Sequence, residues 1–155
     1  MKEYFINLFR YEIWANKEVS ECLLSADVPP EKALSLMSHI VNAQEIWLCR
    51  ITRKAYDTNS VWKILSKSEL KTALKNSSEA MTAYISSLQE SDLEKNIEYT
   101  NIKGEAFKTR LKDIITHLLF HSAYHRGQVI ILMKPVVNEL PATDYIKFAR
   151  DNDIK

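Results

Sequence analysis

Glycine occurs only twice in the 155 residues, at Gly104 and Gly127, and proline four times, at Pro29, Pro30, Pro135 and Pro141. So little punctuation argues against a chain of many short turns and predicts long, uninterrupted elements. Cysteine is also sparse: Cys22 and Cys49 form no CxxC pair and no disulfide framework. That suits a reducing compartment, where thiols pack as small apolar groups, and neither cysteine sits in a recognisable nucleophile motif. An excess of one charge sign is missing, with 21 Lys plus Arg against 20 Asp plus Glu and a formal charge of +1. No run of five or six basic residues is present, so no nucleic-acid partner is expected. Long apolar runs are missing too. The opening "MKEYFINLFRYEIWANKEV" is interrupted by Glu3, Arg10, Glu12 and Lys17, and "VIILM" at 129–133 is too short to cross a bilayer. The expected address is the cytoplasm, with no membrane partner.

What is present is the composition of a folding chain, with 46% aliphatic and aromatic residues and 26% charged. Its length fits a single domain over 1–155 with a sizeable core. Residues 2–25 place Phe5, Phe9, Ile13, Ala15 and Val19 at helical spacing, and "VPPE" at 28–31 breaks the pattern. A second stripe, Leu36, Ile40, Ala43, Trp47 and Ile51, spans about 31–52. Residues 53–65 lose periodicity and read as a loop anchored by Trp62. Ser66 and Glu69 form a capping-box pattern that opens a third helix, about 67–90. Around the Asn101 to Gly104 turn signal a loop or small hairpin is expected. The fourth helix, 109–134, carries Leu111, Ile114, Leu118, His121, His125, Val129 and Leu132 until Pro135 stops it, and the tail adds a short helix. Four amphipathic helices predict an all-α four-helix bundle.

Three of the four histidines, His117, His121 and His125, fall at four-residue intervals in "HLLFHSAYHRGQV". Positions four apart lie about 40° from one another on a helix, so His121 and His125 can converge on one metal ion. His117 and His125 are about 12 Å apart along the axis and cannot share it. His39 lies on the core side of the second helix and can supply a third ligand, leaving an open position of the catalytic type. The alternative is a set of core histidines that only hydrogen-bond to neighbours. Gly127 in a helix interior costs about 1 kcal/mol against alanine, for which close packing of another helix is the common reason. Arg126, about 100° round from His125, is expected to leave the core for a salt bridge or a bundle end. Glu45 and Asp113 are weak candidates for a general base and read better as solvated charge.

The segment "HSAYHRGQV" resembles the DinB-like, damage-inducible family, sometimes grouped with YfiT-like metal-dependent enzymes. So do "LFRYEIWANKEV", "HIVNAQEIWL" and "PATDYIKFAR", in the same order along nearly the whole chain. The resemblance implies a four-helix bundle with a divalent metal, zinc, nickel, iron or similar, on His39, His121 and His125. It also implies a homodimer, to which Tyr4 and Trp14 are expected to contribute. Members with an assigned activity are similar to S-transferases that use low-molecular-weight thiols such as bacillithiol or mycothiol. The expected reaction is therefore thiol transfer to a small electrophile held in a cavity among the helices. A metal-dependent hydrolase and a non-catalytic metal-binding bundle are the alternatives.

Overall fold

A computed structural model describes residues 1–101 and 103–152. Helix α1 spans Lys2–Ser25 and gives way to extended backbone at Ala26, ahead of Pro29 and Pro30. Helix α2, Glu31–Thr52, starts where the Pro30 carbonyl accepts from Ala33 and Leu34. It closes in a Schellman motif, with Arg53 left-handed at φ 56° while the amides of Arg53 and Lys54 donate to the carbonyls of Arg50 and Cys49. Helix α3, Lys67–Ser87, opens with the expected capping box: the Glu69 amide donates to Ser66 Oγ at 3.3 Å and the Ser66 amide to Glu69 Oε2 at 2.8 Å. It ends a few residues before the expected 90.

Between α3 and the last long helix the chain forms the small hairpin expected around Asn101 to Gly104, a two-stranded addition to an otherwise helical fold. Strands β1, Asn96–Thr100, and β2, Ala106–Arg110, pair antiparallel with Tyr99 opposite Phe107. Asn101 Oδ1 accepts from the amides of Lys103 and Glu105, and Gly104 takes φ 81°, which a residue with a Cβ rarely adopts. Arg110 leads directly into α4, Leu111–Met133. A short α5, Tyr145–Asp151, folds back on α1, where Phe148 packs on Tyr11 and Trp14. Trp14, expected at a dimer surface, is covered by this tail, whereas Tyr4 is exposed.

The protein is thus mostly helical. Helix α4 packs on α2 and α1, and α3 packs on the same two helices from the other side. Two apolar clusters fill the interior. One gathers Phe5, Phe9, Met81, Ile85, Ile114 and Leu118, and the other Val19, Leu23, Met37, Ile40, Leu70 and Met133. The buried polar residues Glu12, Asn16, Asn42, Gln44, Ser122 and Arg126 occupy the stretches of α1, α2 and α4 between the two clusters, and buried His39 lies beside the second cluster on α2.

That polar layer changes the expected stripes. On α1 the buried line passes through Glu12 and Asn16, while Ile13 is only partly buried. On α4 it runs through Leu118, Ser122, Arg126, Val129 and Met133, so His121 and His125 sit on its flank, half-buried.

Candidate metal centre

Helix α2 contributes His39, and α4 contributes His121 and His125 one turn apart. The ring centroids are 4.8 Å apart for His39 and His121, 4.9 Å for His39 and His125, and 4.6 Å for His121 and His125. One nitrogen from each ring lies within 4.8 Å of the other two, and this is the one such His, Cys, Asp or Glu group found among the described residues.

Loop 53–65, without periodicity in the sequence, fixes the most buried of these rings. His39 Nδ1 lies 2.9 Å from the Val61 carbonyl. A carbonyl only accepts, so Nδ1 carries the proton and Nε2 of neutral His39 is left with a lone pair. Trp62 stacks on the same imidazole with a centroid distance of 3.7 Å and an interplanar angle of 3°. It anchors the loop as expected, by stacking on His39, while remaining 51% exposed. The loop is lashed to α2 by further buried groups: Ser38 Oγ accepts from the Leu65 amide at 3.0 Å, and Asn42 Nδ2 donates to the Lys63 carbonyl at 2.8 Å. On α4, His125 Nδ1 donates to Gln128 Oε1 at 3.0 Å, which directs its Nε2 lone pair away from that contact.

Burial, partly offset by the Val61 hydrogen bond, holds His39 below the usual imidazole range, and neighbouring His125 and Lys32 push the same way. Burial, together with His39, His125 and His117, takes His121 down to about 3. Both rings are therefore neutral at physiological pH, the state a metal ligand requires.

The donor set fits a divalent ion. His39 Nε2 and His121 Nε2 approach to 3.0 Å. With Nδ1 of His39 protonated, two facing lone pairs at that distance need a proton or a cation between them. Three imidazole ligands suit zinc, nickel, iron and copper alike.

The other candidate residues fall elsewhere. His117 is exposed, its ring 5.5 Å from His121 and 5.7 Å from Trp47, and it does not join the cluster. Glu45 and Asp113 are exposed, and Asp113 pairs with Arg110 at 2.9 Å. Arg126 does not leave the core. It is 2% exposed, and Nη1 donates to Glu12 Oε2 at 2.5 Å and to Asn16 Oδ1 at 2.9 Å. The reason is that α4 is covered on two sides, so the face turned away from His125 meets α1 instead of water. Close packing does not explain Gly127 either, because it is exposed and an added Cβ would meet nothing within 4 Å.

Three cavities lie away from the histidine cluster, and none of them is the internal cavity expected beside the metal. One runs between α1 and α3, one between α2 and α3, and one under the hairpin, and none of these three is lined by a histidine. The cluster instead sits on the α2 to α4 seam beside the exposed Tyr124, whose ring is 5.1 Å from His125. Among the described residues no helix is long and apolar enough to cross a membrane.

Comparison with curated proteins finds no match. The model of the DinB family matches residues 29–153, from just before α2 to the end of the tail, and takes in all three clustered histidines. With most of its length matched, the chain belongs to the DinB family.

Proposed function

We propose that the protein is a divalent-metal-dependent S-transferase, joining a low-molecular-weight thiol to a small electrophile, with its four long helices forming a DinB-type four-helix bundle. His39, His121 and His125 hold the ion. The observation that carries this reading is the composition of the cluster: three imidazoles and no carboxylate or cysteine among them. An ion so held keeps its full positive charge, and supplies Lewis acidity that stabilises a thiolate.

The protein's own groups then orient and expose. Val61 and Gln128 set the ring tautomers, Trp62 covers one face of His39, and the half-buried His121 and His125 leave the site reachable from solvent. In the reaction the thiol sulfur bonds to the electrophilic carbon, the leaving group departs with its electron pair, and the thiol proton passes to solvent. Hydrolysis is less well served. Glu45 and Asp113 are solvated, and the buried Glu12 is committed to Arg126, so none of these three carboxylates stands ready as a base.

The test is an electrophile panel with several small thiols, run on metal-loaded protein, His125→Ala and a Cys22→Ala/Cys49→Ala double variant. Thiol consumption that needs His125 but neither cysteine is expected. Product release without thiol would replace transfer by hydrolysis, and no turnover with tight metal retention would leave a binding protein.

A further inference from the structure

Towards the C-terminal end of α2, beyond His39, the helix terminus and the hairpin border an open cavity of about 680 Å³ whose lining includes Arg50, Arg53, Lys54, Tyr56, Tyr99 and Phe107. We propose that this cavity binds a small organic anion, a carboxylate carried on a flat apolar body.

The Arg50 guanidinium is held in place by rings. It lies 4.6 Å from the centroid of Trp47, 5.3 Å from Tyr99 and 5.4 Å from Tyr56, and its Nε donates to the Tyr56 hydroxyl at 2.9 Å. Among the described residues no carboxylate pairs with Arg50, Arg53 or Lys54. The one acid lining the cavity, Glu98, lies 3.6 Å from Lys108 Nζ, leaving three cations uncompensated. The rings fix the plane of the Arg50 fork while its remaining N–H donors stay unengaged, so a carboxylate would meet a donor already oriented.

The aromatic walls define the rest of the ligand. Tyr99 and Phe107 stand nearly parallel, with centroids 5.8 Å apart at 22°, and offer an apolar surface beside the charge. The α2 macrodipole accounts for basic residues near the helix end, but not for the enclosure of Arg50 by three rings. Arg53 adds a further sign. It occupies the left-handed position that closes α2, which glycine fills at less conformational cost, so its side chain is carried at that rim against backbone preference.

The test titrates the full-length protein with phenylacetate, neutral phenylacetamide and inorganic phosphate, following the Arg50 Nε–H and the Tyr99 and Phe107 amide resonances by NMR. Saturable shifts with phenylacetate are expected, at least about tenfold weaker with the amide and in Arg50→Gln, from loss of a charge-assisted hydrogen bond. Lys54→Glu, at an exposed residue, should weaken binding severalfold, and it carries the test should Arg50→Gln fail to fold. His125→Ala should bind phenylacetate unchanged, which separates this site from the histidine cluster. The proposal is overturned by equal binding of acid and amide, by phosphate binding as tightly as phenylacetate, by unchanged affinity in Lys54→Glu, or by no saturable shift at about 10 mM.

Discussion

Arg126 and Glu12 are the costliest residues in the interior, because each is 2% exposed and each is charged. Arg126 donates to Glu12 Oε2 and Asn16 Nδ2 to Oε1, which satisfies Glu12, but Arg126 Nη2 is buried without a partner, so the pair does not complete its own hydrogen bonding. Removing one member strands the other as a bare charge. Glu12→Leu should therefore lose about 3–5 kcal/mol in urea unfolding, and Glu12→Leu/Arg126→Met should recover most of it. A single variant within about 1 kcal/mol of the parent would contradict this reading. Gly127 poses the opposite case: it is helical, exposed and has open space where a Cβ would go. Gly127→Ala should raise stability by about 0.5–1 kcal/mol, and a loss of that size would show that the position needs to stay bare.

Among the elements, the four long helices were legible because each buries one face, and a stripe at helical spacing records a single buried face well. The same logic failed where α4 is covered on two sides. A one-stripe reading put His121 and His125 in the core and Arg126 outside, whereas the continuous buried line runs through Ser122 and Arg126. Glu12 and Asn16, four apart inside an apolar segment, were the available signal for that second face. The histidine cluster was legible because two of its members share a helix at a spacing of four and His39 sits on a stripe. Its orienting partners were not, since Val61 and Trp62 belong to a loop whose contacts are set by backbone carbonyls and ring stacking and leave no periodicity. This loop matters to the site. Trp62→Ala should weaken metal affinity about tenfold while leaving stoichiometry intact, because it frees the segment whose carbonyl orients His39. Unchanged affinity in a competition titration would show that Val61 holds the ring without Trp62.

For the molecule as a whole, the depressed His39 and His121 should couple folding to pH. The metal-free protein should hold its full histidine contribution above the ordinary imidazole value of 6.5 and lose it as pH falls toward about 3, the value for His121. Through that window the unfolded chain takes up protons that the folded protein refuses. Urea unfolding of stripped protein from neutral pH downward should show this loss, with a shallower dependence in His121→Gln; identical slopes would remove His121 as a cause.

The central claim, that His39, His121 and His125 form one metal centre, is tested most directly by metal analysis of protein purified without a metal-binding affinity tag. The parent and the four single histidine-to-alanine variants are compared. One divalent ion per chain is expected in the parent and in His117→Ala, with stoichiometric metal lost from His39→Ala, His121→Ala and His125→Ala. Equal loss from His117→Ala and His125→Ala, or full retention in both, would contradict the assignment.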